Sequence, residues 1–215
     1  MTAADGRPPL GIGVLASQGD FARHVRMLRS LGADVTDVRT PADLIGLDGL
    51  VIPGGESTTI TKAIERDGLA DAIAAHAGAG RPVLGTCAGM IICDAEHLGL
   101  IDAVARRNAF GRQAQSFEAR LDFEGIGEEP IEAVFIRAPW IESHGPGVEV
   151  LASWDGHPVA IREDNVLACS FHPELTDDPR VHALLMAMAT TAREGAARGE
   201  MQRCGIRGSR GSPGC

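Results

Sequence analysis

Pro82-Val83-Leu84-Gly85-Thr86-Cys87-Ala88-Gly89 is the stretch that decides the fold. An apolar strand, Pro82 to Gly85, runs into Gly-Thr-Cys-Ala-Gly, and a helical pattern from Ala88 to Leu98 follows. A strand, a sharp turn and a helix in that order form a nucleophile elbow with cysteine in the serine position. The glycines two residues either side of Cys87 let the strand and helix pack close to the turn, which lifts the sulfur clear of the sheet. Amides at the start of the following helix suit a nucleophile that carries negative charge. The plainer alternative is a Gly-flanked turn that buries an inert cysteine.

Outward from this turn the same alternation repeats. Gly11 to Ala16 reads as a buried strand, and Phe21, Val25, Leu28 and Leu31 recur at helical spacing before Gly32. Val35 and Val38 mark a second strand, and Gly49-Leu50-Val51-Ile52 a third. Ile60, Ala63 and Ile64 mark a helix, which continues as a second pattern from Leu69 to Gly78. Strands alternating with helices specify a mostly parallel sheet covered on both faces. Later the pattern changes. Arg120–Phe123, Ala133–Arg137, Val148–Trp154, Val159–Arg162 and Val166–Phe171 read as consecutive strands, with turn signals at Asp155-Gly156 and Glu163-Asp164-Asn165. The expected fold is therefore a three-layer α/β/α sandwich whose parallel sheet is extended by antiparallel strands, closed by a helix over Val181–Thr191. The expected organisation is a disordered N-terminus over 1–9, one domain over 10–192, and a disordered Gly-, Arg- and Ser-rich tail over 193–215.

Two further segments bear on the chemistry. Phe171-His172-Pro173-Glu174 ends an apolar strand. A thiol nucleophile needs a neighbouring imidazole, and the imidazole needs an orienting acceptor. Residues two apart in an extended segment project to one side, so Glu174 can reach the imidazole nitrogen of His172 that faces away from Cys87. His24, His76, His97, His144, His157 and His182 compete for that role, but none ends a core strand with a carboxylate two residues on. Pro53-Gly54-Gly55-Glu56-Ser57-Thr58-Thr59 joins a strand to a helix. Paired glycines let backbone N–H groups turn towards a ligand, and an acyl-transfer enzyme needs such donors for its oxyanion. Gly55 N–H and Ala88 N–H are the natural pair. An ordinary loop with Ser57 or Thr58 as helix cap is the alternative.

Together these segments resemble the class I, triad glutamine amidotransferases. Within that group they are most similar to the glutaminase subunits of pyridoxal 5′-phosphate synthases. The matching segments are Val14-Leu15-Ala16-Ser17-Gln18-Gly19, Pro53–Thr59, Gly85–Gly89, the stretch Asn108–Phe117, Phe135-Ile136-Arg137-Ala138-Pro139 and Ser170–Leu175. The Gly-x-Cys-x-Gly and His-Pro-Glu pieces are shared by many amidotransferases, whereas Gly54–Thr59, Phe110–Gln113 and Phe135–Pro139 are more particular. The resemblance runs from about Leu10 to Ala189. It implies hydrolysis of L-glutamine to L-glutamate and ammonia, without a cofactor. It also implies a (β/α)8-barrel synthase subunit as partner, which uses the ammonia to build pyridoxal 5′-phosphate from ribose 5-phosphate and glyceraldehyde 3-phosphate. By motif match Cys87 is the nucleophile, and His172 with Glu174 completes the relay. Gly55, Glu56, Ser57, Arg107, Ile136 and Arg137 line the glutamine site. A guanidinium forks naturally onto the α-carboxylate, and Glu56 offers an acceptor to the α-ammonium. Three features depart from the family pattern: Ser17 in place of leucine, a shortened stretch over Ile92–Leu100, and the tail after Arg193. An amidotransferase subunit of another pathway and a catalytically silent regulatory relative remain the alternatives.

Bulk properties narrow the classes further. The chain has 215 residues and a net charge of −9. That balance gives no general attraction to nucleic acid or anionic lipid. No apolar run approaches the roughly 20 residues that span a bilayer, and residues 1–9 lack the apolar core of a secretory signal. Five cysteines at irregular spacing, with no C-x-x-C pair, predict neither a disulfide framework nor a metal site. A cytoplasmic location is the expectation.

Overall fold

Four short apolar segments form the centre of the fold because they can be buried on both faces. In the computed structural model, which describes residues 8–16, 21–107 and 116–208, these are β1 (Gly11–Leu15), β3 (Gly49–Ile52), β4 (Val83–Thr86) and β11 (Val166–Cys169). Every residue of β3, β4 and β11 is buried, as expected of parallel strands with helices on both sides. With β2 (Asp34–Val38), β9 (Glu149–Trp154) and β10 (His157–Glu163) they make a seven-stranded sheet in the order β2-β1-β3-β4-β11-β10-β9. The pairs from β2 through β11 are parallel. β10 and β9 add antiparallel strands beyond β11. The parallel sheet with an antiparallel extension is thus as the sequence indicated.

Alternation along the strands sorts the core into two layers. Ile12, Val14, Val51, Leu84 and Leu167 face one way, against Leu28 of α1 (Phe21–Ser30) and Leu185 of α5 (Arg180–Gly208). Leu50, Ile52 and Val83 face the other way, against Ile60 of α2 (Ser57–Arg66), Ile73 of α3 (Leu69–Gly78) and Met90 of α4 (Ala88–Cys93). Each such side chain contributes about 1.5–3 kcal/mol on full burial.

Several elements differ from the sequence expectation. Residues 116–136 do not join the main sheet. They form a separate hairpin of β6 (Ser116–Leu121) and β7 (Ile131–Ile136), which packs on the first layer through Leu121 and Phe135. A second pair, β5 (Ala103–Arg106) with β8 (Trp140–His144), was not read from sequence; only Ile141 of β8 is buried, so its apolar signal is weak. α4 ends at Cys93 rather than Leu98. The buried carboxylate of Asp94 accepts from Glu96 N at 3.0 Å and from Ala105 N at 3.1 Å. Those bonds draw the chain into a turn, so the Ile92–Leu100 stretch folds as a helix end and a compact loop. At the C-terminus α5 runs through Gly208, well past Thr191, across residues for which disorder was expected. Ala, Arg, Glu, Gln and Met in 192–203 are good helix formers. The segment Ser17-Gln18-Gly19, residues 108–115 of the Asn108–Phe117 stretch, and the two terminal heptapeptides lie outside the described residues.

Arg193 links this helix to the start of the chain. Its guanidinium donates to the carbonyls of Pro8 and Pro9 at 3.2–3.3 Å and lies 3.5 Å from Asp48 Oδ2. Asp48 Oδ2 in turn accepts from Gly11 N at 2.8 Å. Arg193→Ala should therefore lower stability by about 1 kcal/mol, a Tm drop of roughly 2–4 °C. Removal of residues 200–215 should leave Tm unchanged. A thermal melt of both variants checks this, and a larger loss from the truncation would show that the distal residues pack.

Candidate active site

Backbone crowding builds the turn at Cys87. Cys87 follows β4 with φ 50° and ψ −109°, a conformation that side chains rarely adopt. Its N–H donates to Cys169 O at 2.8 Å, which ties the turn to β11. A Cβ on Gly85 would sit 2.6 Å from Gly89 O, and one on Gly89 would collide with the carbonyl of Ile52. Both glycines of the motif are therefore required by the close packing of α4 on β3 and β4. Cys87 Sγ lies 3.8 Å from Ile136 O at the rim of a pocket of about 250 Å³.

The relay follows from the end of β11. Phe171 is fully buried and meets Phe135 edge-on at a 5.8 Å centroid distance, which fixes the chain just before His172. His172 N–H donates to Val134 O at 2.9 Å, and Pro173 opens a 3-10 turn that carries Glu174 back under the imidazole. His172 Nδ1 donates to Glu174 Oε1 at 2.7 Å, which leaves Nε2 for Cys87. Burial pushes the His172 pKa down, but hydrogen bonds and negative charge from Cys87 and Glu174 outweigh it and raise it to about 10. Burial alone would raise Glu174. Hydrogen bonds from His172 and His24 win instead and hold its carboxyl well below the usual range.

The Pro53–Thr59 loop closes the other side. Gly55 has φ 149°, a region open to glycine in practice. Gly54 faces the relay. A Cβ there would stand 2.6 Å from His172 Cε1 and 3.1 Å from Cys87 Cβ. Gly54 N donates to Thr86 Oγ1 at 3.1 Å, which joins the loop to the residue before the nucleophile. Glu56, rather than Ser57 or Thr58, caps α2. Its Oε1 accepts from Thr58 N at 3.0 Å and its Oε2 from Thr59 N at 2.8 Å, and the Thr59 hydroxyl with these amides lowers its pKa to about 2.

The pocket is lined by Gly55, Glu56, Ser57, Ala88, Arg107, Ile136 and Arg137 beside Cys87 and His172. All the candidate site residues meet there except Glu174, which is buried behind His172. Arg107 is steadied by groups that sequence reasoning passed over. Its Nη2 lies 3.4 Å from His97 Nε2, and its Nη1 donates to Thr58 Oγ1 at 3.2 Å. His97 Nδ1 donates to Asp94 Oδ1 at 2.7 Å. Sequence reasoning also passed over His24 and Thr86 behind the relay. Their partners lie 32 to 158 residues away in the chain, so no local pattern marks them. Among the described residues no group of three or more His, Cys, Asp or Glu side chains has the geometry of a metal site.

A strained cysteine at a strand–helix turn, backed by His and a buried Glu and facing a small pocket, is the arrangement of a thiol acyl-transfer enzyme. Residues 14–191 match the SNO glutamine amidotransferase family. This chain belongs to that family. Among curated relatives, the pyridoxal 5′-phosphate synthase subunit PdxT of Streptomyces avermitilis is 51% identical over 191 residues, covering 85% of this chain and 95% of the relative. The PdxT subunit of Streptomyces coelicolor is 52% identical over 191 residues, with the same coverage. A crystal structure described as a glutamine amidotransferase superposes with a TM-score of 0.79 at 44% identity, covering 83% of this chain and 98% of that one. The fold described above is thus that of a glutamine amidotransferase.

The close approach of Gly54 to His172 gives a direct check on the site. Gly54→Ala should push the imidazole of His172 away from Cys87. Displacement of a reacting group by about 1 Å costs roughly a hundredfold, so glutamine turnover should fall by about that factor while circular dichroism stays that of the parent. Parent-like turnover would show that His172 does not need this space.

Proposed function

We propose that this chain is the glutaminase subunit of a pyridoxal 5′-phosphate synthase, with Cys87, His172 and Glu174 as its catalytic relay. The single observation that carries the residue assignment is the His172 Nδ1–Glu174 Oε1 bond of 2.7 Å, which aims the free imidazole nitrogen at a cysteine on a strained turn. The family match and the relatives' names carry the substrate and the pathway.

The chemistry follows from the geometry. L-Glutamine enters the pocket with its side-chain amide at Cys87. The sulfur attacks the amide carbon, a C–S bond forms, and the carbonyl π electrons move to oxygen. The N–H groups of Gly55 and Ala88 hold that oxyanion. His172 passes its proton to the amide nitrogen, the C–N bond breaks, and ammonia leaves. Water then attacks the γ-glutamyl thioester as His172 takes its proton. The C–S bond breaks, L-glutamate departs, and Cys87 regains its starting form. Glu174 keeps His172 in the right tautomer throughout. Arg107 and Arg137 at the rim supply guanidinium groups for the α-carboxylate. Glu56 faces the α-ammonium with the lone pairs that its cap bonds leave free, and Ser57 and Ile136 complete the wall.

Ammonia released into water is largely protonated and lost as a nucleophile. The product is therefore best handed directly to a docked synthase subunit, and the chain works as part of a heteromeric complex. A reducing, cytoplasmic setting keeps the Cys87 thiol free. The catalytic unit spans residues 10–192, with Arg193 as its anchor to the N-terminus.

The test is steady-state release of glutamate from glutamine, by the chain alone and with the synthase subunit in excess. The parent should be active and stimulated by the partner, because glycines 54 and 55 let the loop reorient at little steric cost. Cys87→Ala should abolish release, whereas Cys93→Ala and Cys169→Ala should retain it. Near-parent release by Cys87→Ala would remove the assignment.

A further inference from the structure

His24 is fully buried on α1, yet it is polar on both edges of its ring. Its Nε2 lies 3.2 Å from Glu174 Oε2 and 3.4 Å from Thr86 Oγ1. Its Nδ1 lies 2.9 Å from Nε2 of His182, a second fully buried histidine, on α5. Thr86 Oγ1 also accepts from Gly54 N–H. One imidazole thus touches the relay carboxylate and, through Thr86, reaches the residue before the nucleophile and the oxyanion loop.

The proton arrangement is fixed by what each nitrogen faces. A bare Nε2 lone pair 3.2 Å from an ionised carboxylate would be repelled, so Nε2 carries the proton. That N–H bonds to Thr86 Oγ1, while Glu174 Oε2 lies 3.2 Å from the nitrogen but off the N–H axis and has no well-aligned donor of its own. Nδ1 of His24 and Nε2 of His182, 2.9 Å apart, share one proton between them. Burial, and then the neighbouring His24, hold the His182 pKa down at about 3, so it stays neutral and can play this role.

We propose that His24 is a positioning residue for the catalytic relay: its ring edge stands against the second oxygen of Glu174 while His172 holds the first, with His182 bonded to its far nitrogen. Without His24 the carboxylate can rotate about its own side chain, and Oε1 no longer presents a fixed acceptor to His172 Nδ1. That second oxygen, Oε2, is buried with no well-aligned donor, so loss of the polar ring edge 3.2 Å away weakens the support that it has. The hydrogen bond of Thr86 to the Gly54 loop loses its backing at the same time. This inference rests on the assignment of His172 and Glu174 to the relay.

The test compares His24→Leu, His24→Gln and His182→Leu with the parent, each as the full chain in complex with its synthase subunit. Leucine fills the space without a donor, whereas the glutamine amide can place an N–H near Glu174 Oε2. Steady-state glutamate release should show kcat of His24→Leu reduced by up to about a hundredfold, with KM for glutamine little changed. That pattern marks an interaction lost in the transition state rather than in binding. His24→Gln should recover much of kcat, and His182→Leu should lose less than His24→Leu. A second readout needs no turnover. The far-downfield proton resonance of His172 Nδ1–H, measured by NMR on the free chain, should be present in the parent, broadened or lost in His24→Leu, and restored in His24→Gln.

Parent-like kcat in His24→Leu would overturn the proposal. So would a KM effect without a kcat effect, or an unchanged downfield proton. Equal losses in the leucine and glutamine variants, tracking loss of Tm, would show a packing role alone and also overturn it. Should His24→Leu not fold, the glutamine variant and His182→Leu decide by the same proton signal. If the parent releases no glutamate, the proposed substrate fails, and the proton resonance still judges His24 on its own.

Discussion

The close approach of α4 to the central strands is the constraint on which the rest depends. Gly89 lies so near β3 that any side chain there would collide with Ile52 O, and Gly85 lies against the backbone of Gly89. This contact forces the chain to reverse within a residue or two. Cys87 takes up the reversal at φ 50° and presents its sulfur at the pocket rim. Strain of this kind costs of order 1–3 kcal/mol and persists only where the surroundings over-determine it. Here β4 is paired on both sides, by β3 and by β11, so the turn has nowhere to relax.

That turn organises its neighbours. β11 runs parallel to β4 and ends beside Cys87, which brings His172 to the sulfur. Gly54 leaves room for the imidazole, so the Pro53–Thr59 loop can approach from the far side. Glu56 fixes the start of α2 and holds that loop in place. Behind the relay, His24 of α1 approaches the carboxylate of Glu174 and His182 of α5 backs His24, so helices distant in sequence meet there. Asp94 acts similarly on the other flank, where it ends α4 and steadies Arg107 through His97. Each buried polar group among these helps position a group nearer the chemistry.

Much of this was legible in the sequence because it rests on local patterns. The apolar runs of β3, β4 and β11, the Gly-x-Cys-x-Gly turn and the His-Pro-Glu ending each lie within a few residues, and the structure brings them to one pocket. What was missed is non-local or contrary to periodicity. β8 shows one buried residue and so gives no alternation to read. The β6–β7 hairpin has the strand pattern expected, but nothing local tells it to leave the main sheet. α4 stops early because Asp94 pairs with Ala105, eleven residues on. His24 and His182 look like ordinary helical histidines until the helices that carry them are placed side by side. Glu56 was read as a ligand residue, and its bonds show it also as a helix cap.

The proposed relay requires a covalent acyl intermediate at one cysteine. The most direct measurement is acid quench of the complex during turnover of glutamine, followed by peptide mass spectrometry of the chain. The account predicts a γ-glutamyl group on the peptide that holds Cys87 and on no other cysteine peptide. Glutamate accumulation with the adduct on another residue would contradict it.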